Sequence, residues 1–193
     1  MNQKKLSIGT ICFSVIFFIA AFLRLYRLEA FATFLGDQGR DAIIIKRIVT
    51  LEHLTAIGAP SSIGQVFLGP FYYYLVAPFL LLFNFNPVGL VFAVALYTLI
   101  GFVLCYLIIK KELHLVVALI FSVLLAFSAV NIQLSRFSWN PNLLPVFAFI
   151  TLYFWHKTLS DKKWYYPFLF GVFFGCSFQL HHLAILMGLP VAV

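Results

Sequence analysis

Long stretches without a charged residue are the feature of this chain that most limits its fold. They cover Leu6–Leu23, Pro87–Ile109, Leu115–Ser135, Phe137–Trp155 and Trp164–Leu180. A helix needs about 20 apolar residues to cross the hydrocarbon core of a bilayer, and inside that core the chain must satisfy its own backbone polar groups. The pattern therefore predicts an all-α fold, a polytopic transmembrane helix bundle.

The amino-acid composition excludes a soluble domain. Hydrophobic residues make up 63% of the chain and charged residues 10%, whereas a soluble domain carries about 25% charged residues. The net charge of +7 does not indicate a nucleic-acid partner, because the basic residues form no stripe. Lysines instead cluster at the ends of apolar stretches, as at Lys4-Lys5 and Lys110-Lys111. Such clusters are typical of cytoplasmic loops that face anionic membrane lipids.

The loop after the first apolar stretch, Arg24–Gln65, is the polar centre of the chain. It contains four of the six acids: Glu29, Asp37, Asp41 and Glu52. Within it, apolar residues such as Ile45 and Ile48 recur at helical spacing across Asp37–His53. This spacing predicts an amphipathic helix that lies along the membrane surface.

The apolar stretch Val66–Phe85 is too short and too interrupted for a span. Pro70 should begin a helix, and a helix from there to Phe83 would be about 21 Å long, against about 30 Å of hydrocarbon core. Pro78 interrupts it further, and Tyr72–Tyr74 are residues typical of the membrane interface. We therefore expect juxtamembrane helices within an outer loop at about 25–86.

The predicted organisation is a single module, 1–193, with five spans and the N-terminus inside. The spans cover about 6–24, 87–109, 114–134, 142–157 and 165–188. A six-span alternative, in which Val66–Phe85 also crosses, agrees better with the positive-inside rule. We prefer five spans because the first loop is long and carries acids as well as basic residues, although the sequence leaves both open. The chain ends within an apolar run, so we expect that the C-terminal part of a longer protein is missing.

The segment Gly36–Asp41 combines groups from which a catalytic site could be built. Asp37 and Asp41 are four residues apart, hence on one helical face, and Arg40 lies beside them. A carboxylate can act as a general base, and a guanidinium can stabilise a leaving phosphate. The structural interpretation is that Asp37 caps a helix and Asp41 stabilises its first turn. Spacing alone leaves both interpretations open. It also does not show whether the two carboxylates bind a divalent metal ion.

Two further segments place polar residues beside apolar stretches. Ser135–Asn142 contains Arg136 and Asn140 and follows a predicted span on the side of the first loop, and His181 and His182 interrupt the last span. Ionisable groups in a membrane are candidates for function. An interfacial arginine also snorkels to lipid phosphates, and a histidine also bridges helices. These four side chains join Arg40 and Asp41 as candidate substrate- or phosphate-binding residues.

The chain resembles the N-terminal part of the GT-C membrane glycosyltransferases, which include the protein O-mannosyltransferases and the Rgt-like bacterial enzymes. The resemblance rests on a span ending in Phe22–Leu25, GDQGRDA at Gly36–Ala42, LGPFYYYLVAP at Leu68–Pro78 followed by Asn86-Pro87, and SRFSWNPNLLP at Ser135–Pro145 with QLHH at Gln179–His182 beyond. Their order and spacing match over essentially the whole chain. The resemblance implies a GT-C fold, with juxtamembrane helices in its first outer loop.

The resemblance also implies a function. Family members transfer a sugar from a polyprenyl-phosphate donor to a lipid, glycan or protein acceptor on the outer face of the plasma membrane, as in the synthesis of lipopolysaccharide or other cell-surface glycans. Asp37 corresponds to the family's catalytic Asp and Arg40 to a basic residue that follows it. Gln38 stands where related families often carry Glu, and it cannot ionise.

The preferred interpretation is an inverting glycosyltransferase. Asp37 would act as the base, and Arg40, Arg136 or a metal would neutralise the leaving phosphate. A transporter or flippase of lipid-linked sugars is less favoured, because it should place ionisable groups near the midplane and contain repeats. A non-catalytic scaffold would use the Asp37 region only as a capped helix. We expect the 193-residue chain alone to be inactive, because the family's later helices help to bind both substrates.

Overall fold

The structure, a computed structural model, describes residues 8–61, 66–161 and 163–191, and these are folded into helices joined by loops. The α-helices are α1 (Ile8–Leu25), α2 (Leu28–Phe31), α3 (Gly36–Val49), α4 (Phe71–Leu82), α5 (Val88–Glu112), α6 (Leu115–Phe127), α7 (Ala129–Ser135), α8 (Leu144–Asp161) and α9 (Tyr165–Leu180). Short 3-10 helices cover Asn140–Leu143 and His182–Val191. These ranges contain no strand, and their β contacts are limited to an isolated bridge between Pro60 and Phe67.

Apolar helices of membrane-crossing length form the frame of the fold. Among the described residues, α1 and α5 are long and apolar enough to cross a bilayer, and α6 with α7 is a third candidate if the bent pair counts as one span. α5 is central, since it packs against α1, α4, α6 and α8. At Gly101 of α5, Val146 of α8 lies so close that a Cβ atom would clash. The predicted all-α membrane helix bundle is confirmed.

Helices α3 and α4 form a compact unit that packs against this frame. α3 packs on α4, and α4 packs on α5. Ile45 and Ile48 of α3 share a buried core with Val76 and Leu80 of α4, which is the face that the amphipathic spacing predicts. α4 has 12 residues and is thus about 18 Å long, shorter than the hydrocarbon core of about 30 Å.

Two of the three tyrosines at the start of α4 are not where the sequence suggests. Tyr72 and Tyr73 are 2% and 1% exposed, and only Tyr74 of the three is exposed. The expectation that all three lie at the membrane interface is therefore wrong for Tyr72 and Tyr73. Their hydroxyl groups have partners inside the protein, Ser138 and Asp41 respectively, and this makes burial favourable.

A break between α6 and α7 bends this helix pair by 64°. The buried guanidinium of Arg24, near the end of α1, donates to the carbonyl oxygens of Leu125 (2.9 Å) and Ala126 (3.4 Å) at the break. The Ser128 hydroxyl accepts the N–H of Asn131 and caps α7 (3.3 Å). The last carbonyls of a helix lack partners within it, and hydrocarbon supplies none. Arg24 therefore stabilises the bend.

Polar contacts link neighbouring helix ends at each of the two ends of the bundle. Lys157 near the end of α8 pairs with Glu112 at the end of α5 (3.0 Å). At the other side, Arg136 after α7 donates to the carbonyl oxygen of Leu23 near the end of α1 (3.3 Å). Successive long helices thus run in alternating directions, and the first loop lies at the end where α1 and α7 terminate.

Some element bounds differ from the predicted spans. α9 ends at Leu180, whereas the predicted span continues to 188, because His181 has an extended backbone (φ −163°, ψ 139°) and a 3-10 helix follows. α3 ends at Val49, short of the predicted end at His53, since Leu51 has a positive φ of 58°. The predicted start of the first span at residue 6 lies outside the described residues.

We predict five spans, with the first loop and the α5–α6 loop on opposite sides of the membrane. Single cysteines would replace the exposed residues Glu52 and Lys111 in a variant without the native Cys12, Cys105 and Cys176. A membrane-impermeant maleimide should label the two positions from opposite sides. Labelling of both positions from the same side would establish the six-span arrangement instead.

We predict that Arg24→Gln lowers the free energy of unfolding by about 3 kcal/mol, because the shorter amide side chain does not reach the carbonyl groups that the Arg24 guanidinium bonds, in a medium that lacks water. Unfolding of the detergent-solubilised protein measures the change. Arg47→Gln, which removes an exposed charge from α3, is the matched control and should have little effect. Equal stability of the two variants would show that the bend does not depend on Arg24.

Candidate active site

A polar cleft of about 280 Å³ lies at the end of the bundle where α1 and α7 terminate. Its volume is near the lower end of the range of about 300–1,000 Å³ that is typical of small-molecule sites. The first loop, the segment after α7 and the segment after α9 all contribute to its wall. The side chains that carry its chemistry are Asp37, Arg40, Trp139, Asn140, His181 and His182.

Gln38 determines where α3 begins and therefore where Asp37 lies. The Gln38 side chain is 2% exposed, and its Oε1 accepts the backbone N–H of Leu35 (3.0 Å). The helix thus begins at Gly36, and Asp37 lies in its first turn with 56% of its side chain exposed. Gln38 rather than Asp37 satisfies the backbone at the start of the helix, so the Asp37 carboxylate remains directed to the cleft.

Arg40 joins the two carboxylates of α3. Its Nη1 donates to Asp37 Oδ1 (2.9 Å), while Nε and Nη2 donate to Asp41 Oδ1 (3.0 and 2.8 Å). The Tyr73 hydroxyl donates to the same Asp41 oxygen (2.9 Å). Asp41 is fully buried, whereas Asp37 is exposed. The structure therefore places Asp41 behind Arg40 and Asp37 at the surface of the cleft.

Burial dominates the electrostatics of this group. It raises the pKa of Asp41 above its usual value, and hydrogen bonds and charge from Arg40 oppose this effect only in part. It also raises the pKa of Tyr73, with the Asp41 carboxylate as a second cause. Tyr73 therefore stays protonated and donates to Asp41. Arg40, Asp41 and Tyr73 thus form a fixed polar unit, in which the two buried partners hold the Arg40 guanidinium in place.

The segment after α7 forms one wall of the cleft and is held by buried hydrogen bonds. The Ser138 hydroxyl bonds the Tyr72 hydroxyl (2.9 Å). Asn140 Nδ2 donates to the carbonyl oxygen of Leu180 (2.6 Å), which is the last residue of α9. The Asn140 amide thus connects two walls of the cleft, and its predicted substrate-binding role stays a prediction.

The QLHH segment forms the opposite wall. Gln179 Oε1 accepts the N–H of Phe71 at the start of α4 (3.3 Å), and a Cβ atom at Gly69 would clash with this glutamine. His181 Nδ1 accepts the N–H of Leu183 (3.1 Å). His182 Nε2 is buried and has no hydrogen-bond partner among the described residues. His182 therefore lines the cleft, and its buried ring nitrogen Nε2 is left unpaired within this part of the chain.

Arg136 is not in this cleft. Its guanidinium donates to the carbonyl oxygens of Leu23 (3.3 Å) and Tyr26 (2.8 Å) and lies 4.6 Å from the ring centre of Phe31. It lines a separate groove together with Phe137. Its predicted role in phosphate binding stays a prediction, and its visible role is to satisfy the end of α1.

The residues do not fit a metal shared by Asp37 and Asp41. The Arg40 guanidinium already bonds both carboxylates, and Asp41 Oδ1 accepts the Tyr73 hydroxyl as well. Within the described ranges, no group of three or more His, Cys, Asp or Glu side chains could hold a metal ion. We therefore derive no step of the reaction through a metal.

Several residues that shape the site were not candidates from the sequence. From the sequence, Gln38 is only the position where related families carry Glu, and Tyr73 is only an interface residue. Gln179 and Trp139 occur only as parts of motifs. The signal that could have identified them was their occurrence within the four stretches of resemblance, since the cleft is formed where these stretches meet. Spacing alone does not reveal it, because their partners are distant in sequence.

The fold and the cleft define a class of protein, a polytopic membrane helix bundle with a carboxylate-containing polar cleft at one end. The family model of dolichyl-phosphate-mannose-protein mannosyltransferases matches residues 68–193, more than half of the chain, and the chain therefore belongs to this family. It is accordingly a membrane glycosyltransferase of the mannosyltransferase type. Comparisons with curated proteins and with solved structures found no match.

The matched region includes Trp139, Asn140 and both histidines of the cleft, but it begins after α3. The family match therefore does not bear on Asp37 or Arg40. Their assignment depends on the geometry of the cleft and on the motif in which they occur, and it stays a prediction.

We predict that Asp41 makes stability depend on pH in a defined direction. Because burial raises its pKa above 3.8, the folded protein binds this proton more tightly than the unfolded chain. The resulting stability is fully present below the ordinary pKa of about 3.9 and is lost as pH rises through the raised value. Asp41→Asn removes this titration.

As pH rises from about 4 through the raised pKa of Asp41, the unfolding midpoint of the wild type should fall relative to that of Asp41→Asn. Parallel pH profiles of wild type and Asp41→Asn would contradict the prediction.

Proposed function

We propose that this protein transfers a sugar from a polyprenyl-phosphate donor to a lipid, glycan or protein acceptor at the outer face of the plasma membrane, with inversion at the anomeric carbon. The observation that carries the proposal is an exposed carboxylate, Asp37, beside a fixed guanidinium, Arg40, in one cleft of a membrane glycosyltransferase. A base and a cation are the two groups that this displacement needs from the protein.

The chemistry assigned to Asp37 is that of a general base. Its carboxylate takes a proton from the acceptor hydroxyl group as the oxygen attacks the anomeric carbon of the donor. The new C–O bond forms as the bond from that carbon to the phosphate oxygen breaks, and polyprenyl phosphate leaves with both electrons. Attack from the side opposite the phosphate inverts the configuration.

Arg40 is assigned to the departing phosphate. A guanidinium has five N–H donors, and three of those in Arg40 already bond Asp37 and Asp41. The side chain is 32% exposed at the cleft, so its remaining donors can reach a phosphate oxygen. Because Asp41 and Tyr73 fix the guanidinium beforehand, little reorganisation is needed as charge develops on the leaving group.

The outer location is supported by the arrangement of the two bundle ends. The cleft lies at the end opposite Lys110, Lys111 and Lys157, and lysine clusters beside spans are typical of the cytoplasmic side. A transporter of lipid-linked sugars is supported less well. The charged groups of the cleft lie at one end of the bundle, whereas a transporter is expected to bind its substrate near the midplane.

We predict that Asp37→Asn in the full-length protein lowers the turnover of lipid-linked sugar by about 10²–10⁴-fold, because general-base assistance is worth that much. The variant should keep its expression and its unfolding midpoint, since Asp37 is exposed and does not cap α3. Turnover is measured at saturating donor concentration.

Asp41→Asn is the internal comparison and should lose less activity, because the amide oxygen can still accept the bonds that fix Arg40. Glu52→Gln, outside the cleft, should retain full turnover. Near-normal turnover of Asp37→Asn would refute the assignment of the base. Loss of activity confined to Asp41→Asn would require the roles of the two carboxylates to be exchanged.

A further inference from the structure

Trp139 presents an aromatic surface to the cleft. The residue is 38% exposed although both of its neighbours in sequence, Ser138 and Asn140, are buried. It lines the cleft together with Asp37 and Arg40. Its ring also packs against that of Phe137, with centroids 5.9 Å apart and planes inclined by 59°. An indole thus faces the same space as the carboxylate and the guanidinium.

The backbone on both sides of this indole is fixed. Ser138 is bonded to Tyr72 (2.9 Å), and Asn140 to the carbonyl oxygen of Leu180 (2.6 Å). The N–H of Asn142 donates to the carbonyl oxygen of Trp139 itself (3.1 Å). The indole is therefore presented by a pre-organised segment, and binding a ligand against it requires little ordering.

We infer that Trp139 is the platform against which the sugar ring of the donor stacks. A pyranose ring has hydroxyl groups around its edge and an apolar face of C–H bonds, and the face of an indole carries negative charge density that attracts such C–H groups. The polar side chains around the indole can bond the hydroxyl edge while the ring covers the apolar face. This inference rests on the proposed function.

The donor sugar fits this position better than the acceptor does. The proposed reaction leaves the acceptor open among lipid, glycan and protein, but each version has a donor sugar, whose anomeric carbon lies next to the hydroxyl oxygen that Asp37 deprotonates. Because Trp139 and Asp37 line one cleft, a sugar whose reactive carbon is at Asp37 lies within the space that the indole faces. The indole is thereby assigned to donor recognition.

An interfacial anchor is the competing role for a tryptophan in a membrane protein. Trp164 has the properties of an anchor, since it is 81% exposed and precedes α9 at the opposite end of the bundle. Trp139 differs because it is more than half covered and lines a polar cleft. Trp164 therefore provides a matched control that shares the residue type but not the site.

The first test measures donor KM in the full-length protein. Trp139→Ala should raise KM for the lipid-linked sugar by about two- to tenfold, the range expected for an aromatic contact, while Trp139→Phe should stay near the wild type. Trp164→Ala should leave KM unchanged. An unchanged KM in Trp139→Ala, or equal effects of the alanine substitutions at Trp139 and Trp164, would overturn the inference.

The second test reports on the indole directly. The chain has three tryptophans, and in a variant with Trp155→Phe and Trp164→Phe only Trp139 remains. Its fluorescence should change saturably with polyprenyl-phosphate mannose and much less with polyprenyl phosphate that carries no sugar. Equal changes with both lipids would show that the indole senses the lipid and would overturn the inference.

Turnover of a panel of polyprenyl-phosphate sugars by the same variant distinguishes a failure of the stacking role of Trp139 from a failure of the proposed function. Turnover of a donor that leaves Trp139 fluorescence unchanged contradicts the stacking role alone. Absence of turnover by the wild-type full-length protein with every donor of the panel contradicts the proposed function on which the inference rests. A sugar-dependent signal together with turnover supports both.

Discussion

The cleft end of this bundle depends on one constraint: a helix that ends in or near a bilayer must find partners for its free backbone groups within the protein. Several helices end or begin at or near this end, and a side chain satisfies each. In three cases it comes from another element, and at α3 it comes from the first turn of the helix itself. Arg24 bonds carbonyl groups at the end of α6, Asn140 bonds the last carbonyl of α9, and Gln179 accepts an N–H at the start of α4. Gln38 satisfies the start of α3.

Because side chains satisfy these helix ends, a cleft made of loops and helix ends can have a fixed geometry. The capping side chains are buried or half-buried, and each joins its own segment to a neighbouring helix end or turn. Asp37, Trp139 and His182, which line the cleft, lie one to three positions from a capping residue in sequence. Their backbones are therefore placed largely by the side-chain contacts of neighbouring residues.

Features of the structure that depend on local interactions can be predicted from this sequence, whereas features that depend on residues far apart in the chain cannot. Apolar run lengths and helical spacing are local, so they predicted the bundle, the short helix α4 and the buried face of α3 at Ile45 and Ile48. The burial of Tyr73, and the distance of Arg136 from the cleft, depend on partners far along the chain. Asn140 and Leu180, for example, are separated by 40 residues. No local pattern indicates which carbonyl such a side chain will reach.

The same distinction separates the two carboxylates of α3, which are equivalent in local sequence. Tyr73, contributed by α4, reaches one of them, and with Arg40 it makes Asp41 a buried acceptor of three hydrogen bonds. A carboxylate so placed has no exposed atom with which to take a proton from a substrate. Asp37 shares Arg40 but keeps more than half of its side chain exposed. The packing of α4 on α3 therefore buries one acid as a support for Arg40 and leaves the other exposed, as the proposed role of Asp37 as the base requires.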